Sequence, residues 1–268
     1  MELTEESYQK EAQLIKLIKS YGKVLVAFSG GVDSTYLLSV AIEALGNNCK
    51  AVFARGSMIS SHEEEDAQRL IKLLNLPVQV VDFDVLELEE FLNNPPDRCY
   101  YCKKKLFKTF LEISRQLGQY KVIEGTNASD VHEYRPGRLA LQELGIQSPL
   151  LEAGLTKAEI RLLSKKRDLP TWQKPSMPCL ATRVPYGERI SPELLQRIAR
   201  AEAILYENGY PECRVRVHGD IARIEIPAEE LTGFVRARSE IVEAVSALGF
   251  RFVTLDLQGL RSGSLNPV

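Results

Sequence analysis

The chain has 268 residues, 44% of them hydrophobic and 26% charged, which suits one large or two modest soluble globular domains with ample material for a buried core. Its 34 basic and 36 acidic side chains leave a net charge of −2, which gives no support for a protein that coats nucleic acid. The acidic, polar opening "MELTEESYQKEAQ" is not a signal peptide, and no apolar run approaches the about 18 residues that span a bilayer, so the expected location is the cytoplasm, with no membrane partner.

In chain order, residues 4–20 read as an amphipathic helix with Ile15, Leu17 and Ile18 as its clearest apolar positions. "KVLVAF" (23–28) is a strand buried on both faces. A helix follows over 34–45, then a strand over 50–54, a helix over 62–74 with acids in its first turn, and a strand over 78–84. After the irregular "NNPPDRCYYC" a helix is expected from about Lys103 to Leu117, then a strand over 121–126. "TKAE" (156–159) is a capping box opening another helix that ends before Pro170. Strand and helix alternate with short connections, the pattern of an α/β, doubly wound parallel sheet, in which ligands bind beyond the carboxyl ends of the strands. This places a first domain over 1–170. Residues 171–190, rich in Pro and polar side chains, read as a linker. The order helix, strand, strand, helix, strand over 191–268 reads as a small α+β domain, with "HGD" (218–220) as a tight turn between its first two strands.

"SGGVDS" (29–34) lies between a strand and a helix. Gly30 and Gly31 allow a turn whose N–H groups point inward, and the following helix adds the positive end of its dipole. Ser29 and Ser34 can donate hydroxyl hydrogen bonds to phosphate. Asp33 repels phosphate but suits Mg²⁺, which takes carboxylate and phosphate oxygens together. The lysine of the G-x-x-x-x-G-K-[ST] loop is absent. The site is therefore expected to hold a metal-bound polyphosphate, with Gly125 and Thr126 following another strand at the same edge. Against this stands a ligand-free glycine turn, which does not explain serine, two glycines, aspartate and serine in that order.

The chain has five cysteines, which in a reducing compartment point to metal binding or catalysis rather than disulfides. Cys99 and Cys102 form a C-x-x-C pair, expected in a loop before a helix. Cys179 lies in "SMPCLATR", also expected in a loop. Cys49 and Cys213 read as ordinary half-buried thiols. A redox pair explains Cys99 and Cys102 but not Cys179. Structural zinc wants four ligands. A [4Fe–4S] cluster on three cysteines leaves one iron without a protein ligand.

"SGGVDS" resembles the PP-loop of ATP pyrophosphatases, a superfamily that includes GMP synthetase, NAD synthetase and tRNA thiolation enzymes and that cleaves ATP between the α- and β-phosphates. Beside that loop the cluster reading gains, since activated carbon next to sulfide makes a thiolation site. "EYRPG" (133–137), "ATRVPYG" (181–187), "RVRVHGDIARIEIP" (214–227) and "GFRFVTLDLQGLRSGSLN" (249–266) further resemble the LarE family over essentially the whole chain. That resemblance implies an ATP-dependent sulfurtransferase that adenylates a carboxylate of pyridinium-3,5-biscarboxylic acid mononucleotide and converts it to a thiocarboxylate. Its product leads to the nickel-pincer nucleotide, the lactate racemase cofactor.

The family has two sulfur sources: a sacrificed cysteine, or a sulfide-carrying cluster on three cysteines. The sacrificial type has a tryptophan where Cys99 stands and lacks the C-x-x-C. Cys99, Cys102 and Cys179 therefore fit the cluster type, with Cys179 as sacrificial donor the lesser reading. The resemblance further implies ATP, Mg²⁺ and a [4Fe–4S] cluster as cofactors, and Arg214, Arg216 and Arg183 as binders of substrate phosphate or carboxylate. It gives Glu202 and Glu225 as metal-binding acids, although Gly233 replaces an aspartate of that set. Arg135 and Asp130 face the ATP site or anchor their loop. The expected partners are a nucleotide substrate, a sulfide donor and further copies of the chain. The rivals are a tRNA thiolase, against which the near-neutral charge counts, and an amide-forming ligase of the NAD synthetase kind, which gives the cysteines no role.

Overall fold

The computed structural model describes residues 2–132, 136–261 and 263–265. The helices are α1 (Glu5–Tyr21), α2 (Val32–Leu45), α3 (Ser61–Leu73), α4 (Glu89–Leu92), α5 (Arg98–Gln116), α6 (Gly137–Glu143), α7 (Pro149–Glu152), α8 (Lys157–Lys166), α9 (Pro192–Glu207) and α10 (Leu231–Ser246). The strands are β1 (Val24–Ala27), β2 (Cys49–Arg55), β3 (Val78–Asp82), β4 (Lys121–Ile123), β5 (Arg214–His218), β6 (Ile221–Glu225) and β7 (Phe252–Leu255). The chain forms two compact units. The first comprises the chain up to Gly56, Glu63–Val85 and Asp97–Met177. The second comprises Ser57–His62, Leu86–Pro96 and the chain from Pro178 on.

The first unit is the expected α/β layer. Its four strands are all parallel, in the order β3-β2-β1-β4. Leu25, Val52 and Val122 pack on one face with Phe107, Phe110, Leu141 and Ile146. Val24 and Val26, whose side chains alternate to the other face, are equally buried. α2 packs on β1 and β2, with α1 and α8 against it, which is why nearly every α2 side chain is apolar or small. In α1 the buried pair is Leu14 and Ile18, one turn apart. Leu14 is a correction to the positions the sequence reading picks out.

Two element bounds also need correction. α5 begins at Arg98, so Cys99 and Cys102 are its second and fifth residues rather than part of a loop. Pro95 and Pro96 end the irregular segment, and nothing after Asp97 opposes a helix. β4 stops at Ile123 because Glu124 turns its carboxylate back onto the chain. It accepts from the Thr126 N–H (3.1 Å) and hydroxyl (2.8 Å) and from Ser148 Oγ (2.5 Å). That leaves Gly125 and Thr126 in a loop at the carboxyl edge of the sheet.

The second unit is built on a three-stranded sheet, β5-β6-β7. β5 and β6 pair antiparallel across the tight turn at Gly219 (φ +57°), and β6 and β7 pair parallel. α10 makes the crossover. Of the segment read as a linker, 171–177 belongs to the first unit, where Arg161 donates to Trp172 O (2.7 Å) and Lys174 O (2.9 Å), and the part from Pro178 on is laced into this unit. The Ile190 and Gly187 N–H groups donate to Leu92 and Asn94 carbonyls, both at 2.9 Å, and Leu180 N–H donates to Met58 O at 3.0 Å. The sequence pattern gives no sign of these two excursions, because neither carries a long periodic run.

Candidate functional site

The phosphate loop follows β1 directly. Gly30 takes φ +71°, a left-handed turn that glycine adopts without strain, and a Cβ there would lie 3.0 Å from Ala67 Cβ on α3. Gly31 is the N-cap of α2 and no side chain caps that helix. Its first N–H groups have no partner within the helix, so they are available to an anion. Ser34 closes the loop instead. Its hydroxyl accepts from Ser29 N–H (3.1 Å), lies 3.0 Å from Ser29 Oγ, and donates to Gly31 O (3.3 Å). Thr35 Oγ1 donates to the same carbonyl at 2.8 Å. Gly125 comes from the β4 edge so closely that a Cβ would lie 3.2 Å from Ser34 N and 3.3 Å from Asp33 Cβ. Ser29, Gly30, Gly31, Asp33, Ser34 and Gly125 are thus brought together.

Asp33 is the chemically distinctive member. Its Oδ1 is buried with no hydrogen-bond partner among the described residues. Its Oδ2 accepts from Lys157 Nζ at 2.6 Å. Burial pushes its carboxyl up, and Lys157 pulls it partly back. A buried carboxylate oxygen left open beside an uncapped helix N-terminus is a fitting donor for Mg²⁺ arriving with phosphate. Sequence reasoning missed Lys157. Its signal was the capping box, which places a lysine at the first position of a helix, where the dipole disfavours a cation. Asp130 holds the loop after β4: its carboxylate accepts from Asn127 N–H at 3.0 Å. Arg135 lies outside the described residues.

Cys99 and Cys102 are three apart on one face of α5, the first exposed and the second half-buried. Gly137 lets α6 approach that turn, since a Cβ there would lie 3.2 Å from Cys99 O. Cys179 belongs to the second unit, where it is exposed, and its carbonyl accepts from Thr182 N–H (2.9 Å) and Oγ1 (2.8 Å). Burial pushes the thiol of Cys49 up to about 12 and raises that of Cys213 as well. No disulfide joins any of the five. Among the described residues no three His, Cys, Asp or Glu side chains stand grouped as a metal ion needs them. The first unit offers two thiols on one face, short of a closed metal site.

In the second unit Arg214, Arg216, Arg223 and Glu225 share one face of the β5–β6 ladder, with Arg214 opposite Glu225 and Arg216 opposite Arg223. Glu225 is fully buried. It accepts from Arg216 Nε and Arg223 Nη2, both at 3.0 Å, and from Ser264 Oγ at 2.6 Å. Burial lowers Arg216 to about 10. Arg216 also donates to Thr182 O (2.6 Å), while Arg214 donates to Arg261 O (3.0 Å). Arg183, likewise buried, forks onto Glu202 at 2.7 and 3.0 Å, and Glu202 Oε1 also accepts from Val215 N–H at 2.9 Å. Both acids expected to bind metal are therefore neutralised by arginines. Two of the three arginines expected to bind substrate are engaged with those acids.

Comparison with known proteins fixes the family. The sequence model of the NAD synthase family matches residues 9–94, the stretch that holds the phosphate loop. A chain of the glutamine-hydrolyzing GMP synthase of Methanocaldococcus jannaschii is 30% identical over 205 residues, 69% of this chain and 63% of that one. The pyridinium-3,5-bisthiocarboxylic acid mononucleotide synthase of Lactiplantibacillus plantarum is 37% identical over 258 residues, 96% of this chain and 94% of that protein. The chain belongs to the LarE family. An uncharacterized protein of Synechocystis is 41% identical over 263 residues, 96% of this chain and 98% of its own length. LarE membership and the PP-loop match make the chain an ATP-dependent enzyme. Among the described residues no helix is long and apolar enough to cross a membrane.

Proposed function

We propose that this LarE-family chain converts a carboxylate of a pyridinium mononucleotide into a thiocarboxylate at the expense of ATP, toward the nickel-pincer nucleotide. A substrate carboxylate oxygen attacks the α-phosphorus and pyrophosphate leaves, giving an acyl adenylate. A sulfur nucleophile then attacks the acyl carbon and AMP leaves. The observation that carries the first half is the open, buried Asp33 Oδ1 beside the uncapped first turn of α2. Asp33 would hold Mg²⁺, which screens polyphosphate charge when bound. Ser29, Gly30, Gly31 and Ser34 would receive the pyrophosphate, with Gly125 keeping the β4 edge close. Arg183, Arg214 and Arg216 are proposed for the substrate's anionic groups. Arg214 is the most available of them, since its one described hydrogen bond goes to a main-chain carbonyl.

The sulfur is proposed to come by way of Cys99, Cys102 and Cys179. Cys99 and Cys179 are exposed and Cys102 is half-buried, whereas the thiols of Cys49 and Cys213 are pushed up. A [4Fe–4S] cluster on these three, when bound, supplies an iron without a protein ligand at which sulfide can be held. A sacrificed Cys179 is the second route, favoured by its exposure.

Two measurements test the proposal. Incubation with the dicarboxylate nucleotide, Mg·ATP and sulfide under anaerobic conditions is expected to give AMP, pyrophosphate and a product 16 mass units heavier per exchanged oxygen, the sulfur-for-oxygen difference. AMP formation driven equally by ammonia would refute it. Iron and acid-labile sulfide in anaerobically purified protein, lost in Cys99→Ala, are expected of the cluster route. A colourless, iron-free protein whose Cys179 peptide loses the mass of H₂S on turnover would replace it with the sacrificial one.

A further inference from the structure

Arg214 and Glu225 stand directly opposite each other on β5 and β6, a placement in which opposite charges ordinarily pair. Among the described residues they do not pair. Arg216 forks onto Glu225 Oε2 through Nε and Nη2, both at 3.0 Å. Glu225 Oε1 accepts from Arg223 Nη2 (3.0 Å) and from Ser264 Oγ (2.6 Å). Arg214 turns instead to the Arg261 carbonyl at 3.0 Å. Arg261 and Ser264 both belong to the C-terminal segment, which is stitched along β6. Asp256 N–H donates to Ile224 O (2.9 Å) and Leu260 N–H donates to Ile226 O (2.8 Å). Beyond Leu260 the same segment carries a carbonyl to Arg214 and a hydroxyl to Glu225. The carbonyl is a neutral acceptor, so it fixes one N–H of the guanidinium without neutralising its charge, and an arginine has five N–H donors to offer. Burial, and after it the neighbouring charge of Arg183, lower the Arg214 guanidinium, as befits a cation without a carboxylate of its own.

We infer that the C-terminal segment is a positioning element of the substrate site: the Ser264 hydroxyl and the Arg261 carbonyl hold Arg214 off Glu225 and leave its guanidinium to the phosphate of the substrate nucleotide. The inference rests on the function proposed above, in which Arg214 meets an anionic group. Without Ser264, Glu225 Oε1 regains a lone pair opposite the nearest uncommitted cation, and Arg214 closes on it. The guanidinium is then spent inside the protein. Charge selects the phosphate. Arg183 is paired with Glu202, and Arg216 and Arg223 share Glu225. Asp256 lies 3.8 Å from both Arg223 and Arg261 and is offset by the latter. The four arginines Arg183, Arg214, Arg216 and Arg223 therefore exceed their two glutamates by two charges. A phosphate monoester, at about −2 near neutral pH, balances that surplus, and a single carboxylate does not.

The test is binding, read without ATP or turnover. Isothermal titration calorimetry follows the dicarboxylate nucleotide on the wild type, Ser264→Ala, Ser264→Thr, Arg214→Gln and the Ser264→Ala/Arg214→Gln double variant. Thermal unfolding checks the folding of each. Ser264→Ala is expected to bind roughly tenfold or more weakly, the loss of one hydrogen bond between charged groups. Ser264→Thr keeps the hydroxyl and is expected to bind as the wild type does. The double variant is expected to bind no more weakly than Arg214→Gln, because both changes remove the same guanidinium from the ligand. The corresponding riboside, which lacks the phosphate, is expected to bind all five proteins alike. A Ser264→Ala or Arg214→Gln protein with wild-type affinity for the nucleotide overturns the inference. Losses that multiply in the double variant overturn it too, since that is what an unconnected structural role of Ser264 gives. A riboside weakened by Ser264→Ala as much as the nucleotide is overturns the assignment to phosphate. A wild type that binds no nucleotide refutes the proposed function, and this inference with it.

Discussion

Arg214 and Arg216 show how far a residue can be read before its neighbours are known. Strand alternation puts both on one face, and arginine suits phosphate; the sequence carries that much. It does not carry the partner. Arg216 is buried against Glu225, which no water reaches, whereas Arg214 is half-buried and donates to a main-chain carbonyl. The two therefore separate experimentally. Arg216→Met leaves Glu225, among the described residues, with Arg223 and Ser264 alone and is expected to cost about 3–5 kcal/mol, the range for breaking a buried ion pair. Arg214→Gln is expected to cost less, about 1 kcal/mol for its one described hydrogen bond, and to weaken binding of the substrate nucleotide. Urea unfolding of the two variants, with nucleotide binding measured on Arg214→Gln, decides. Equal losses of stability would mean that both arginines are structural. Lys157 was illegible for a related reason: its meeting with Asp33 is made by packing α8 on α2, which no local pattern encodes.

At the scale of elements, local chemistry was legible and tertiary accommodation was not. "TKAE" gave the start of α8, and the box is formed on both sides: Glu159 N–H donates to Thr156 Oγ1 (3.3 Å), and Thr156 N–H donates to Glu159 Oε2 (2.9 Å). The sequence could not tell that Ser7 Oγ (3.1 Å) and Lys10 Nζ (3.0 Å) of α1 also converge on Glu159 Oε1. In the same way β4 read as longer than it is, because the turn that ends it is made by Glu124's own carboxylate. Glu159 gives the box a pH dependence. Burial pushes its carboxyl up, but the donors of Thr156, Lys10 and Ser7 outweigh burial and hold it below the ordinary 4.5. A group whose folded value is lowered contributes stability that is present above its unfolded value and lost as pH falls through the folded one. The wild type is therefore expected to exceed Glu159→Gln in thermal midpoint at pH 6–7 and to lose that advantage below the ordinary carboxylate range. Thr156→Ala is expected to cost about 1 kcal/mol, as loss of a cap does. A Glu159→Gln gap unchanged down to pH 3 would show that the carboxylate's charge contributes nothing.

Over the whole molecule, the five cysteines sort by environment in a way their spacing only half foretold. The C-x-x-C pair and Cys179 were separable from Cys49 and Cys213 by sequence context. Burial separates Cys49 on independent grounds, buried with its thiol pushed up while Cys99 and Cys179 are exposed; Cys102 and Cys213 are both half-buried, and the Cys213 thiol is raised by desolvation and by Glu202. The thiolate is the reactive form. A thiol raised to about 12 is therefore ionised roughly a thousandfold less at pH 8 than an ordinary one near 8.5. Brief native alkylation at pH 8, followed by peptide mass spectrometry, is expected to label Cys99 and Cys179 and to leave Cys49 unlabelled until the protein is unfolded. Repeating the alkylation after anaerobic incubation with ferrous iron and sulfide extends the test to the sulfur source. Joint protection of Cys99, Cys102 and Cys179 is the result a three-cysteine cluster requires, because ligation removes all three thiolates at once. Protection of Cys99 and Cys102 with Cys179 still reactive would confine iron to the first unit and leave Cys179 as the donor whose sulfur is transferred.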